Sequence, residues 1–227
     1  MKTWKKLAAF VMALGMTVAM VACGGGNGGD NSSNSSNGGN NASSSEETSG
    51  ALSKEEITAA KQKAANATNF TVVGTESYVE DGNTVVVTYT RKVAGDKLYM
   101  EVEETIDGST GTYYTYIGKV GDVAYMWMSE DNETWDVVEY DPSMFVDDEN
   151  PFAALSETDL NYMDDTHTPE YDETNGCHVF THMNVVVYAT ITNGDIVKYR
   201  FETSVNEWKE YSVSYGNTTV GELPALE

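Results

Sequence analysis

Hydrophobic and polar residues alternate through most of the chain after Asn69, and that period of two predicts strands. Phe70, Val72, Val73 and Tyr78 open a first strand; Asp81-Gly82-Asn83 is turn chemistry; Val85, Val87 and Tyr89 continue in a second. Gly95-Asp96 turns the chain into the cleanest alternation in the sequence. Leu98, Met100, Val102 and Ile106 share one face there, and Lys97, Glu101, Glu103 and Thr105 share the other. Further strands are predicted at Tyr113–Ile117, Val123–Met128 and Trp135–Tyr140, joined through Gly108–Gly111, Gly121-Asp122 and Glu130–Glu133. Loops this short make the six strands a meander of antiparallel neighbours.

The period changes in two places. Ser53-Lys54-Glu55-Glu56 is a capping box, followed at helical spacing by Ile57, Ala60, Lys61, Ala64 and Ala65, so a helix is predicted up to Asn66–Asn69. Asp141-Pro142 ends the meander, and Ser143 to Met163 carries apolar groups that do not alternate. One or two short helices are expected here, with Ser156 and Asp159 capping the second. Strands resume at Glu170–Glu173, Gly176–Met183, Val185–Thr192, Ile196–Thr203 and Trp208–Tyr215, and Asn193-Gly194 is the strongest hairpin signal in the chain. Val220–Leu223 is expected to pair briefly before Pro224. A sheet of about ten strands with one apolar face must cover that face or curl, and two helical segments are too few for a full second layer. The expected fold class is therefore α+β: a strongly curved antiparallel sheet wrapped around the N-terminal helix and the central helical segment.

The N-terminus is organised differently. Lys2, Lys5 and Lys6 precede an uncharged stretch from Leu7 to Ala22, which is short for a membrane span and suited to a secretory signal. Gly24 to Gly50 follows, with Gly, Ser and Asn supplying 22 of 27 residues. Such a segment cannot bury a core; as a flexible coil it spans ~30 Å. The chain thus divides into a signal peptide (1–22), a tether beginning at Cys23 (23–50) and one domain (51–227).

Charge narrows the function. With 13 basic and 36 acidic residues the formal charge is −23; removing the three leader lysines leaves 10 against 36, or −26. A chain this acidic does not hold a nucleic-acid backbone by counterion release, and electrostatic attraction to anionic lipid headgroups is disfavoured too. Cys23 and Cys177 are the only cysteines, so there is no disulfide framework.

Met20-Val21-Ala22-Cys23 resembles the lipobox of bacterial lipoproteins. That resemblance implies acylation of the Cys23 thiol, cleavage just before it, and attachment through the lipid (palmitate-type chains included) to the outer face of a cell membrane. The order of elements, the N-terminal helix, the aromatic strands and the ending Tyr215-Gly216-Asn217…Glu222-Leu223-Pro224 resemble the half-barrel group that contains the carrier LolA and the LppX-related lipoproteins. This second resemblance implies a curved sheet around short helices and an apolar ligand between them. LolA-type carriers are soluble, carry no lipid and use a conserved arginine to hold their closed form; neither Arg91 nor Arg200, the domain's two arginines, can be matched to it, so the resemblance implies a tethered binder rather than a soluble shuttle.

Catalytic chemistry is poorly represented. There is no GxSxG, HExxH, P-loop or strand-to-helix GxGxxG pattern, and no cofactor is called for. His178 and His182 share a strand face but stand ~13 Å apart, too far to share an ion; Cys177 points to the other face, away from His178, and His167 lies elsewhere. Asp147-Asp148-Glu149-Asn150 and Asp164-Asp165 match no EF-hand and read as a solvated acidic surface. The expectation is a protein that is not an enzyme and takes no metal. The aromatics Tyr113, Tyr114, Tyr116, Tyr125, Trp127, Trp135 and Tyr140 fall on three consecutive strands, with Trp127 and Tyr125 on one face and Met126 and Met128 on the other. The expected ligand lining is Leu98, Met100, Val102, Met126, Met128, Phe145 and Phe152. Two other readings stay open: a surface interaction or scaffold lipoprotein with a filled core and an exposed aromatic patch, and a sugar-binding module with planar aromatics facing water beside carboxylates.

Overall fold

The computed structural model describes residues 50–141, 150–163, 169–182 and 184–226. Cys23 and its tether, Phe145, His167 and the acidic clusters at 147–149 and 164–165 lie outside them. From Gly50 onward the chain forms one unit.

Its frame is an open antiparallel sheet of eleven strands, curved, with a few helices, consistent with the expected half-barrel. The strands are β1 (Asn69–Glu80), β2 (Asn83–Ala94), β3 (Lys97–Ile106), β4 (Ser109–Val120), β5 (Val123–Ser129), β6 (Asp136–Glu139), β7 (Glu170–Asp172), β8 (Cys177–His182), β9 (Val185–Thr192), β10 (Asp195–Ser204) and β11 (Glu207–Tyr215). Their order across the sheet is β6-β5-β4-β3-β2-β1-β11-β10-β9-β8-β7. Two meanders are thus zipped together by β1 and β11, and each runs outward to a short edge strand. β6 and β7 are four and three residues long and carry carboxylates, which discourages edge-to-edge pairing. Register shifts between Ile196 and Lys198 and between Glu202 and Ser204 mark bulges in β10, and bulges bend the strand that carries them.

The hairpins form where turn residues predict them. Asn193 (φ 52°) and Gly194 (φ 76°) both occupy the left-handed region that a two-residue primed turn requires. Asp81-Gly82 and Asp107-Gly108 do the same. The predicted strand bounds hold to within one or two residues for most strands. One expectation fails: 217–226 contains no strand. Instead Gly216 and Asn217, both at positive φ, turn the chain out of β11 onto the outer face. Asn69 and Thr71 then hold Thr218 there, through Asn69 Nδ2 to the Thr218 carbonyl (3.0 Å), the Thr218 N–H to Asn69 Oδ1 (2.9 Å) and a Thr71–Thr218 hydroxyl pair (3.0 Å).

Two helices are described. α1 (Lys54–Ala65) starts from the predicted capping box: the Ser53 hydroxyl accepts from the Glu56 N–H and the Glu56 carboxylate accepts from the Ser53 N–H. Ile57, Ala60 and Ala64 are its buried stripe, and the two alanines let the helix lie close against β10. α2 (Glu157–Tyr162) repeats the device with Ser156 and Asp159. Lys61 Nζ donates to the Met163 carbonyl at 2.7 Å, joining the two helices. No described helix is long and apolar enough to cross a membrane.

Candidate functional site

The inner face of the sheet can be read row by row from its register. One row runs Val138, Met126, Ile117, Leu98, Val93, Phe70. The next runs Met128, Thr115, Met100, Arg91, Val72, Val213. The third runs Tyr113, Val102, Tyr89, Gly74, Tyr211, Tyr199, Ala189, His178, Tyr171. The fourth runs Glu104, Val87, Glu76, Lys209, Phe201, Val187, Phe180.

Five of the residues expected to line a ligand site therefore meet. Leu98, Met100, Val102, Met126 and Met128 occupy three adjacent rows over β3 and β5, with β4 between them. They form one wing of the inner face. Leu98 is 0% and Val102 2% exposed, whereas Met100, Met126 and Met128 keep 7–8% each. The flexible side chains are thus the ones that stop short of full enclosure. Phe152, the sixth, stands at the wing's edge, where its ring meets Tyr140 edge-on at 6.4 Å. The seventh, Phe145, lies outside the described residues. Over the wing runs the irregular stretch Asn150–Leu155, whose Ala154 and Leu155 are buried.

Arg91 joins stretch and sheet. Its Nη2 donates to the Ala154 carbonyl at 3.2 Å, and its guanidinium lies 6.0 Å over the Phe70 ring. Its Nε is buried without a partner. Among the described residues no carboxylate pairs with it.

The opposite half of the inner face is charged in its centre. Lys209 is ion-paired with Asp159 of α2, their side chains 15% and 4% exposed. The ammonium also sits over the rings of Phe201 (5.2 Å) and Tyr211 (5.7 Å). Glu76 accepts from the Tyr211 hydroxyl at 2.9 Å, and Tyr199 donates to the Asp159 carbonyl at 3.1 Å. Tyr199 and Tyr211 stack with ring centroids 5.8 Å apart. Burial pushes the Glu76 carboxyl up, against the opposing pull of Lys209 and the Tyr211 hydroxyl. Burial, with the Glu76 charge added, also raises the Tyr89 and Tyr211 hydroxyls well above their usual range. Space for this packing comes from Gly74: a Cβ there would stand 2.5 Å from Cζ of Tyr89.

The histidines and the thiol separate as the strand period demands. His178 is buried on the inner face, where Nε2 accepts the Leu52 N–H at 2.9 Å and ties the start of α1 to β8. Accepting that bond requires a neutral imidazole, and burial lowers its pKa. His182 is exposed, so the pair shares no site. Cys177 is buried, and burial raises its thiol pKa, the reverse of what a nucleophile needs. No group of three or more metal-ligating side chains occurs among the described residues.

The outer face collects the remaining aromatics. Tyr99 packs on Tyr116 (4.9 Å) and Tyr116 on Trp135 (5.3 Å), all three partly exposed. Trp127, on the same face, is wholly buried, with Tyr125 against it at 5.9 Å. The C-terminal stretch crosses this cluster, and Leu223 seats where a Cβ on Gly118 would stand 2.8 Å from its Cδ1. Much of the aromatic run is therefore packing beneath the chain's own end, not an open aromatic platform.

Arg91, Glu76 and Lys209 were not among the expected site residues. Their signal was present: each is a charged residue at an inward position of an alternating strand, as in Phe70-x-Val72-x-Gly74-x-Glu76 and Lys209-x-Tyr211-x-Val213. Asp159 carried no such signal, because only the docking of α2 brings it to Lys209.

No family model matches the chain, and no curated protein does. Among solved structures it is similar to a DUF1329 family protein from Desulfovibrio piger, at 13% identity, with 71% of this chain and 90% of that chain covered and a TM-score of 0.27. A superposition this loose leaves the fold to be read from the strand order itself.

Proposed function

We propose that this chain is a membrane-anchored lipoprotein, held on the extracytoplasmic face through lipid on Cys23, that binds an apolar ligand between the inner sheet face and the segment covering it, without catalysing a reaction. The observation that supports it best is the methionine wing. Three methionines share one face of β3 and β5 with Leu98 and Val102, near Asn150–Leu155, a described stretch with no helix or strand. Methionine side chains repack at low cost, so such a wing accepts apolar ligands of differing shape. The lipobox-like Met20–Cys23 and the Gly/Ser/Asn tether support the anchor. Nucleic acid is not a partner in this reading, given the −23 charge.

The test is native mass spectrometry of the purified chain carrying Cys23→Ala, together with uptake of the neutral fluorophore N-phenyl-1-naphthylamine. Copurifying lipid or a saturable fluorescence rise is expected. Absence of both argues for a scaffold with a filled core, a reading that the low exposure of Leu98 and Val102 favours. Metabolic fatty-acid labelling tests the anchor: wild type takes up label, and Cys23→Ala does not.

A further inference from the structure

The inner face carries two strand-borne cations close to its centre, and their surroundings differ. Lys209 is taken by Asp159 and lies beside Glu76. Among the described residues Arg91 has one hydrogen bond, to a neutral carbonyl, and its Nε–H is withdrawn from water without a partner. A guanidinium carries five N–H donors and one full charge. Leaving part of it dehydrated and unpaired is costly, and buried charges are ordinarily matched by an opposite charge. In a chain with 36 carboxylates the shortage is not one of anions. Among the described residues none of them pairs with Arg91. Its row neighbours are Met100, Thr115 and Met128 on one side and Val72 and Val213 on the other.

The cation is thus at the border of the methionine wing, in the same row as two of its three methionines. That juxtaposition describes a ligand as well as a site: a flexible apolar body with an anion at one end. We infer that the ligand is a single-chain amphiphile with a carboxylate head, its acyl chain lying along Met100, Met126 and Met128 and its head paired with Arg91. The inference rests on the apolar-ligand reading above and adds the head group to it. A carboxylate fits better than a phosphate for two reasons. A guanidinium presents parallel N–H groups that match a planar carboxylate. A single uncommitted cation balances one negative charge, whereas a phosphate monoester brings nearly two near neutral pH. The protein's large negative charge repels anions at long range, so selection for an anionic head has to come from a local, desolvated contact of this kind.

The experiment compares three ligands of equal chain length on the purified Cys23→Ala chain at pH 8, each displacing N-phenyl-1-naphthylamine: palmitate, monopalmitoylglycerol and palmitoyl lysophosphatidic acid. Palmitate is expected to bind about tenfold more tightly than monopalmitoylglycerol, as one charge-assisted, desolvated pair would give. Arg91→Gln is expected to erase that ratio while fluorophore uptake persists, and Arg91→Lys to keep part of it. Equal affinity for palmitate and monopalmitoylglycerol in wild type overturns the head-group assignment alone, as does a ratio that survives Arg91→Gln. Tighter binding of the lysophosphatidic acid than of palmitate replaces carboxylate by phosphate and overturns the assignment as stated. No displacement by any of the three, with no fluorophore uptake, overturns the apolar site itself. The wild-type comparison needs no variant, so misfolding of Arg91→Gln does not shelter the idea.

Discussion

The two halves of the inner face are built on the same sheet, yet different forces hold them. Around β1, β10 and β11 the face is closed by two helices and a charged, hydroxyl-rich centre: Lys209 to Asp159, Tyr211 to Glu76, Tyr199 to the Asp159 carbonyl. Those contacts are directional and desolvated, and each has one geometry that satisfies it. Around β3, β4 and β5 the closure is apolar, made by methionines and a stretch without helix or strand. Dispersion and hydrophobic contacts tolerate rearrangement as long as volume is conserved. The lesson is a division of labour within one core: the helix-covered half is held by directional contacts, and the methionine half by contacts that can repack.

Substitutions separate the halves, beginning with the largest effect. Asp159→Ala removes the partner of a mostly buried lysine and, with it, the carboxylate half of the α2 capping box. It is expected to cost about 3–5 kcal/mol in denaturant unfolding. A loss under about 1 kcal/mol would mean that the pair does not lock that half. Leu98→Ala empties a fully enclosed position in the methionine wing and should cost about 2–5 kcal/mol. By contrast Met126→Leu, a volume-conserving change in the same row, should cost less than about 1.5 kcal/mol and alter ligand preference more than stability. Gly74→Ala drives a methyl into the Tyr89 ring and is expected to cost about 1–3 kcal/mol. Its effect should be felt in both halves, because Tyr89 lies between them.

The smallest expected effect is a pH dependence in the helix-covered half. His178 is held below its usual pKa by burial, so its contribution to stability is complete above about pH 6.5, the ordinary histidine value, and is lost as pH falls through the lower folded value. Glu76 has the opposite sign. Its folded pKa is raised, so the contribution present below the unfolded carboxyl value is lost as pH rises through the folded one. The protection factor of the Leu52 amide, whose N–H the imidazole Nε2 of His178 accepts, should therefore fall on acidification in wild type, once the intrinsic pH dependence of exchange is divided out. A His178→Gln variant should exchange faster at neutral pH and respond less to acid.

Much of the architecture was legible because strands and hairpins are local. Period-two runs placed the strands, and Asn193-Gly194, Asp81-Gly82 and the two capping boxes placed their joints, since each depends on residues within four positions of one another. The candidate wing was legible for the same reason: alternation alone puts Leu98, Met100 and Val102 on one side, and a short hairpin brings β5 beside β4. The tail was misread because Val220 and Leu223 look apolar enough to pair, while the decisive feature is an aromatic groove with Gly118 at its floor, a hundred residues earlier.

The amino-acid sequence by itself determined the strand count to within one, the faces of those strands, the helix starts and the overall negative charge, all of which follow from near neighbours and from composition. Tertiary structure alone decided that β1 meets β11, that Asp159 reaches Lys209, that Leu223 covers Gly118, and that Arg91 meets no carboxylate among the described residues. Those outcomes depend on which distant surfaces exclude water together, and burial is a property of the assembled sheet, not of any residue's place in the chain.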